Sequence, residues 1–155
     1  MKLLHVLATK GPTVHTCPPG TQVSEVVERL RSGNVGALVV IEGDRLLGII
    51  SERDIVRQID RGNILGTPVD ALMTAVGTGS ADGPGRELVC GTPEDDVERV
   101  LDTMIEKHFR HLPVVQDGAL VGIVTTGDLA RALLASLRGS VETLEAQVMA
   151  DEDYG

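Results

Sequence analysis

The chain has 155 residues, a formal net charge of −9, and a single Tyr and a single Phe; so acidic a balance with almost no stacking rings excludes nucleic acid as a partner and leaves small molecules or proteins. That length suits one ordinary domain, or two small units fused into one globule. No run approaches the ~18 apolar residues of a membrane span, and Leu3 to Ala8, interrupted by His5, is too short for a signal-peptide core, so a soluble, cytoplasmic protein without membrane contact is expected.

Leu3, Leu4, Val6 and Leu7 precede Lys10-Gly11-Pro12, which reads as a short helix closed by a Gly-Pro stop. Val14 to Thr16 reads as a short strand. After the turn Pro18-Pro19-Gly20-Thr21, the spacing of Val23, Val26, Val27 and Leu30 predicts a helix with one apolar face, ended by Gly33-Asn34. Ala37 to Ile41 and Leu46 to Ile50 are continuous apolar runs on either side of Glu42-Gly43-Asp44, a buried hairpin. Ser51 opens the next helix, carried inward by Ile55, Val56 and Ile59 and ended near Gly62.

The chain then repeats itself. Gly48-Ile49-Ile50-Ser51-Glu52-Arg53-Asp54 recurs as Gly122-Ile123-Val124-Thr125-Thr126-Gly127-Asp128, 74 residues on, and the same offset pairs Pro19 with Pro93, Val23 with Val97, Val40 with Val114, Leu46 with Leu120 and Arg57 with Arg131. A fixed period of this kind marks an internal duplication, whose units bury their apolar faces against each other. Val69 to Met73 answers Leu3 to Leu7, and Leu88 to Cys90 answers Val14 to Thr16. Thr92-Pro93-Glu94-Asp95 reads as a helix start with an N-cap, a proline at the first position and acids in the first turn; Val97, Val100, Leu101 and Met104 supply the buried face. Eight extra residues fall within 75–86, whose Gly, Ser, Asp and Pro content predicts a mobile loop. Leu112 to Val115 and Leu120 to Val124 form the second hairpin around Gln116-Asp117-Gly118. Beyond Asp128, Leu134, Leu137, Val141, Leu144 and Val148 alternate steps of three and four, an a/d seam weakened by Gly139 and running into a frayed tail from Asp151. The seam serves either a dimer contact or packing against its own domain. The resulting division is 1–66, 67–135 with the loop 75–86, and 136–155 as C-terminal helix and tail. Cys17 and Cys90 are too few for a disulfide framework, fit no zinc spacing, and read as small buried thiols.

Ser51-x-x-Asp54 and Thr125-x-x-Asp128 fit reciprocal helix caps, with the hydroxyl accepting from the third N–H and the acid reaching back. Capping leaves Gly48 and Gly122 unexplained. A glycine late in a buried strand lets something approach the backbone. Beside a helix start, which favours anions, that place suits a phosphate, and an Asp one turn in can accept from a sugar diol.

The pattern Gly, apolar, any, Ser or Thr, any, any, Asp at the end of the last strand of a duplicated unit resembles the CBS domain, a family named for cystathionine beta-synthase whose tandem pairs are called Bateman modules. Phe109-Arg110-His111-Leu112-Pro113-Val114 and Val69-Asp70-Ala71-Leu72-Met73-Thr74 look like two further signatures, and the likeness runs from Leu3 to about Leu133. The final helix resembles those of stand-alone bacterial members. The fold this implies is α/β (α+β), two tandem CBS repeats, each a small β-sheet with two flanking helices, about a pseudo-two-fold axis. The function it implies is regulation by an adenine nucleotide (AMP, ADP, ATP or NAD), sensing energy or redox state, with no obligatory cofactor, an unidentified effector protein, and a homodimer built as a flat disk.

In similar modules the Asp holds ribose, the Ser or Thr and basic side chains hold phosphate, and adenine lies in an apolar slot. The resemblance implies one cleft of Ser51, Arg53 and Asp54 with the Gly36, Ala37 and Leu38 strand and the edge near Cys90 of the other copy. The second would use Thr125 and Asp128 with Arg110, His111, Leu112 and Pro113 and the edge near Thr16. Gly127 stands where the first copy has Arg53, and Gly36-Ala37 where the second has Arg110-His111, so each cleft has one basic source, shared across the axis.

An enzyme fits less well: no Ser-His-Asp order or paired acid stands out, and Gly77-Thr78-Gly79 fails the dinucleotide fingerprint because Asp82 replaces the third glycine. His108-x-x-His111 is at most half a metal site, so no metal is expected. The alternatives are an interaction or scaffold module with vestigial clefts, or a metal-binding stress protein.

Overall fold

The computed structural model describes residues 1–76 and 88–153. In chain order its elements are α1 (Leu3–Lys10), β1 (Thr16–Cys17), α2 (Val23–Gly33), β2 (Ala37–Glu42), β3 (Arg45–Ser51), α3 (Glu52–Gln58), β4 (Thr74–Ala75), α4 (Val97–Glu106), β5 (His111–Gln116), β6 (Ala119–Thr125) and α5 (Thr126–Asp153), with 3-10 turns at Ile59–Arg61 and Val69–Ala71. The fold is the mixed α/β repeat pair that the resemblance implies. The two apolar runs of each repeat fold as antiparallel hairpins, β2–β3 and β5–β6, closed by two-residue loops. Gly43 has φ +61° in the first loop, and Asp117 and Gly118 have φ 52° and 80° in the second. These primed-type conformations match the strand twist. The hairpins join into one sheet of order β1-β2-β3-β6-β5, with β4 on β3; the seam between them is the single pair Arg45–Ala119.

Packing divides the chain differently from the repeat period. The first core holds Cys17, Val23, Val26, Leu30, Leu38, Val40, Ile50 and Ile55, and is completed by Val69 from the start of the second repeat. Leu3 and Val6, from the start of the first repeat, complete a second core of Val97, Met104, Leu112, Val114, Val124 and Leu129. Leu3 and Val69 are both 0% exposed, and burying such a side chain stabilises by about 1.5–3 kcal/mol. Backbone bonds repeat the exchange: Val97 N–H donates to the Met1 carbonyl and Leu3 N–H to that of Asp95, while Val23 N–H donates to Thr67 and Val69 N–H to Thr21. Each repeat's leading segment closes the core of the other.

This exchange overturns the expected start of α4. Thr92 does not cap a helix beginning at Pro93; Asp96 does, its carboxylate accepting from Arg99 N–H at 3.2 Å. Thr92 to Asp95 form a turn instead, because the carbonyls of Pro93 and Asp95 accept from Leu4 and Leu3. Nor does Val69 to Met73 copy α1. It makes one 3-10 turn, and the chain is then drawn onto β3, where Thr74 and Ala75 pair with Ile49 and Gly48. Leu88 to Cys90 forms no strand; only Gly91 bridges to Val114. Of the loop expected at 75–86, residues 77–86 lie outside the described residues.

The final helix runs away from the rest of the fold. Gly62, at φ +108°, follows the 3-10 turn that ends the α3 helical stretch, whereas the matching stretch of α5 reads Ala132-Leu133-Leu134-Ala135-Ser136 and continues. From Leu134 to Asp151 every residue is exposed, the seam residues by 52 to 63%. The seam does not lie against its own domain. Among the described residues no helix is long and apolar enough to cross a membrane.

Candidate functional site

Each repeat ends its hairpin in the same local arrangement. Ser51 N–H donates to Asp54 Oδ2 at 2.9 Å, Ser51 Oγ donates to the same oxygen at 3.0 Å, and Asp54 N–H donates back to Ser51 Oγ at 3.3 Å. In the second repeat Thr125 N–H donates to Asp128 Oδ2 at 2.9 Å and Asp128 N–H to Thr125 Oγ1 at 3.1 Å. The residue leading into the first strand of each hairpin adds a further bond, Glu52 N–H donating to the Gly36 carbonyl and Thr126 N–H to that of Arg110. The caps position both carboxylates one turn inside their helices, as the spacing predicts.

The glycines have another reason than the one expected. A Cβ on Gly48 would lie 2.6 Å from the Thr74 carbonyl oxygen and 2.7 Å from Met73 Sδ; one on Gly122 would lie 2.6 Å from Leu7 Cδ2. What approaches the strand backbone is the exchanged leading segment, not space left for a ligand. Gly48 and Gly122 therefore make no room for a phosphate, and the hydroxyls and carboxylates stand without them.

The exchange also brings in a group that the sequence reading missed. Lys10, at the end of α1, reaches the second cap, its Nζ donating to Asp128 Oδ2 at 2.7 Å and to the Ile123 carbonyl at 2.9 Å. From the next helical turn Arg131 Nη2 donates to Asp128 Oδ1 at 2.8 Å. Burial works to raise the Asp128 pKa, but the Lys10 and Thr125 bonds outweigh it and hold the carboxyl below its ordinary value. Arg131 was legible as an i,i+3 partner of Asp128. Lys10, 118 residues away, was not. The cation thought missing at Gly127 is supplied here, since a Cβ on Gly127 would meet Arg131 Nη1 at 3.3 Å.

The strand edges stay with their own repeats, contrary to the crossed assignment. Thr16 pairs with Val39 of β2, beside the first cap, and Cys90 precedes the Gly91–Val114 bridge to β5. What crosses is the leading segment, because the parallel β1–β2 pairing leaves β1 no route to the other hairpin. Arg29 Nη1 donates to the Thr16 carbonyl at 2.8 Å; the matching residue in the second repeat is Thr103, which lines an open hollow of about 440 Å³ with Cys90, Arg99 and Leu112. Leu38, Leu112 and Pro113 are buried, the two leucines within the cores, so they can offer a ligand backbone and little more. Ala37 is 5% exposed.

The basic residues converge between the repeats. Arg53 Nη1 donates to the His108 carbonyl at 3.2 Å, and Arg53 and Arg110 line one hollow of about 500 Å³ with Phe109, Met104 and Gly127. A Cβ on Gly36 would lie 3.3 Å from His111 Nε2, so the two equivalent strand starts face each other. Burial, and then the Lys10 charge, push the His111 pKa down. Burial pushes both thiols up, opposed at Cys17 by a Thr21 hydrogen bond. Among the described residues no group of three His, Cys, Asp or Glu side chains is placed to hold a metal ion.

The family model for the CBS domain matches residues 8–61 and 84–135. An uncharacterised 17.7 kDa protein of Acidianus ambivalens is 34% identical over 99% of this chain and 83% of its own length. The CBS domain-containing protein YhcV of Bacillus subtilis is 35% identical over 79% of this chain and 80% of its own. Among solved structures, the CBS domain protein PAE2072 of Pyrobaculum aerophilum, in complex with AMP, is 26% identical with a TM-score of 0.71, over 90% of this chain and 99% of that one.

Proposed function

The chain belongs to the CBS-domain family as a tandem pair, and from that premise we propose that it is a cytoplasmic regulatory protein that binds an adenine nucleotide and has no turnover. The observation that carries the reading is the doubled cap: both repeats hold a hydroxyl and a carboxylate at the strand end, and both acids survive. An ionised carboxylate at that place accepts from ribose hydroxyls, and the likeness to an AMP-bearing structure over nine-tenths of the chain supports adenosine as the ligand. AMP, ADP, ATP and NAD all carry that group. Titration calorimetry with the four compounds tests the reading: at least one should bind, raising the melting temperature through linkage. Asp54→Ala and Asp128→Ala should each remove one binding event while the fold survives. No heat and no thermal shift with any compound, or full binding by the double variant, would leave the carboxylates as caps alone.

The signal passes through surface or assembly, and the exposed seam of α5 supports a homodimer. Its seam places Leu134, Val141 and Val148 at a and Leu137 and Leu144 at d, all exposed, an apolar stripe left in water unless another surface covers it. A second copy covers it best in antiparallel order. That order brings Arg138 toward Glu145 of the other copy, whereas a parallel pair would set Asp151 against its own counterpart. Light scattering at micromolar concentration should give twice 16.4 kDa, and Leu137→Glu with Leu144→Glu should return the monomer mass. A wild-type mass of 16.4 kDa would remove the dimer.

A further inference from the structure

Resting on the adenosine reading above, we infer that the second cleft selects adenosine compounds bearing a terminal phosphate over uncharged ones, and that Lys10 and Arg131 make the selection. The argument starts from acceptor and donor counts at Asp128. A carboxylate offers about four acceptor positions; Thr125 and Lys10 fill those on Oδ2, and Arg131 takes one on Oδ1. One position on Oδ1 remains for a ribose hydroxyl, so the sugar can be held without expelling either cation.

The cations, by contrast, have donors to spare. An ammonium has three N–H bonds and a guanidinium five. Lys10 uses two, on Ile123 and Asp128, and Arg131 uses one. Two positive charges, Lys10 and Arg131, face the one negative charge of Asp128. The local balance is positive in a chain whose net charge is −9. An uncharged ligand uses only the free carboxylate position. A phosphate alongside the sugar also takes up the unused N–H bonds of both cations, and charge-assisted bonds of this kind are the strong ones.

The placement of Lys10 is built rather than incidental. Leu3 and Val6 anchor α1 in the second core, Leu7 presses on Gly122, and Gly11 ends the helix one residue after Lys10. The ammonium is held at 28% side-chain exposure, close to the cap yet open to the cleft. Arg131 reaches the same carboxylate from the solvent side, at 74%.

Titration calorimetry with AMP, adenosine and 5′-methylthioadenosine decides the matter. The wild type should bind AMP about tenfold or more tightly than either uncharged compound. Lys10→Met should remove most of that gap, and Arg131→Met, at an exposed position, should narrow it as well. Adenosine and AMP binding equally to the wild type would overturn the inference and leave the adenosine reading intact. So would a full gap retained by both variants. Binding of none of the three compounds, or of ADP, ATP or NAD, would remove the adenosine reading and the inference with it.

Discussion

At the two strand ends the same capping box sits beside the same close-approach glycine, but what presses on that glycine differs. Gly48 faces a backbone carbonyl, that of Thr74, whereas Gly122 faces the end of a side chain, Leu7. Behind the caps the contrast continues: α3 is 7 residues and ends in a 3-10 turn, while α5 runs 28 residues into solvent. Arg29 closes the first repeat's edge where Thr103 leaves the second open. The backbone bonds of the hairpins and caps occur in both copies, because every buried N–H and C=O needs a partner whatever the side chain is. Contacts made by the leading segments and the strand edges have diverged, and the difference between the clefts lies in them.

The largest test of this comparison is steric. Gly48→Ala should cost about 3 kcal/mol in urea unfolding and Gly122→Ala about 1 kcal/mol, because a carbonyl in a strand cannot move aside while a leucine methyl can. Equal costs would break the distinction between backbone and side-chain contacts. Next come the caps. Asp54→Ala and Asp128→Ala should each cost about 1 kcal/mol or somewhat more, leaving both variants folded at room temperature. A variant unfolded at room temperature would make its cap a folding determinant, at odds with the two-site reading.

Acid titration sharpens the contrast at the second cleft. Asp128 has a folded pKa below 3.8, so its contribution is present above that value and is lost as pH falls through the lower folded one. His111 is held below 6.5 when folded, so the unfolded chain binds more protons there and stability falls as pH drops beneath 6.5. Melting temperatures of the wild type should decline in both windows. His111→Gln should flatten the upper one and Asp128→Asn the lower; an unchanged slope in either variant would assign the acid sensitivity elsewhere. The smallest effect belongs to the first edge: Arg29→Ala, which removes a partly exposed bond to the Thr16 carbonyl, should cost below about 1 kcal/mol in the same urea assay.

Much of the fold was legible in the residues alone. The 74-residue offset, the paired apolar runs and the Ser51/Asp54 and Thr125/Asp128 spacings are local regularities, and local hydrogen bonding makes hairpins and caps from them wherever they occur. The caps were read correctly because both partners lie within one helical turn. The start of α4 was misread for the opposite reason: Thr92-Pro93 has the local chemistry of a cap, but a distant strand of backbone, Met1 to Leu4, claims its carbonyls.

Sequence by itself determined that this protein is a duplicated hairpin-and-helix unit, with a hydroxyl and a carboxylate at each strand end and an apolar stripe on its last helix. Tertiary structure alone decided which repeat's leading segment closes which core, what the two glycines make room for, and that Lys10 reaches Asp128. Those three outcomes depend on segments separated by tens of residues, and no period, spacing or propensity encodes where such segments cross. Burial decides it: Leu3 and Val69 lose their water only in the other repeat's core, and Lys10 is carried to Asp128 by that packing rather than by any signal of its own.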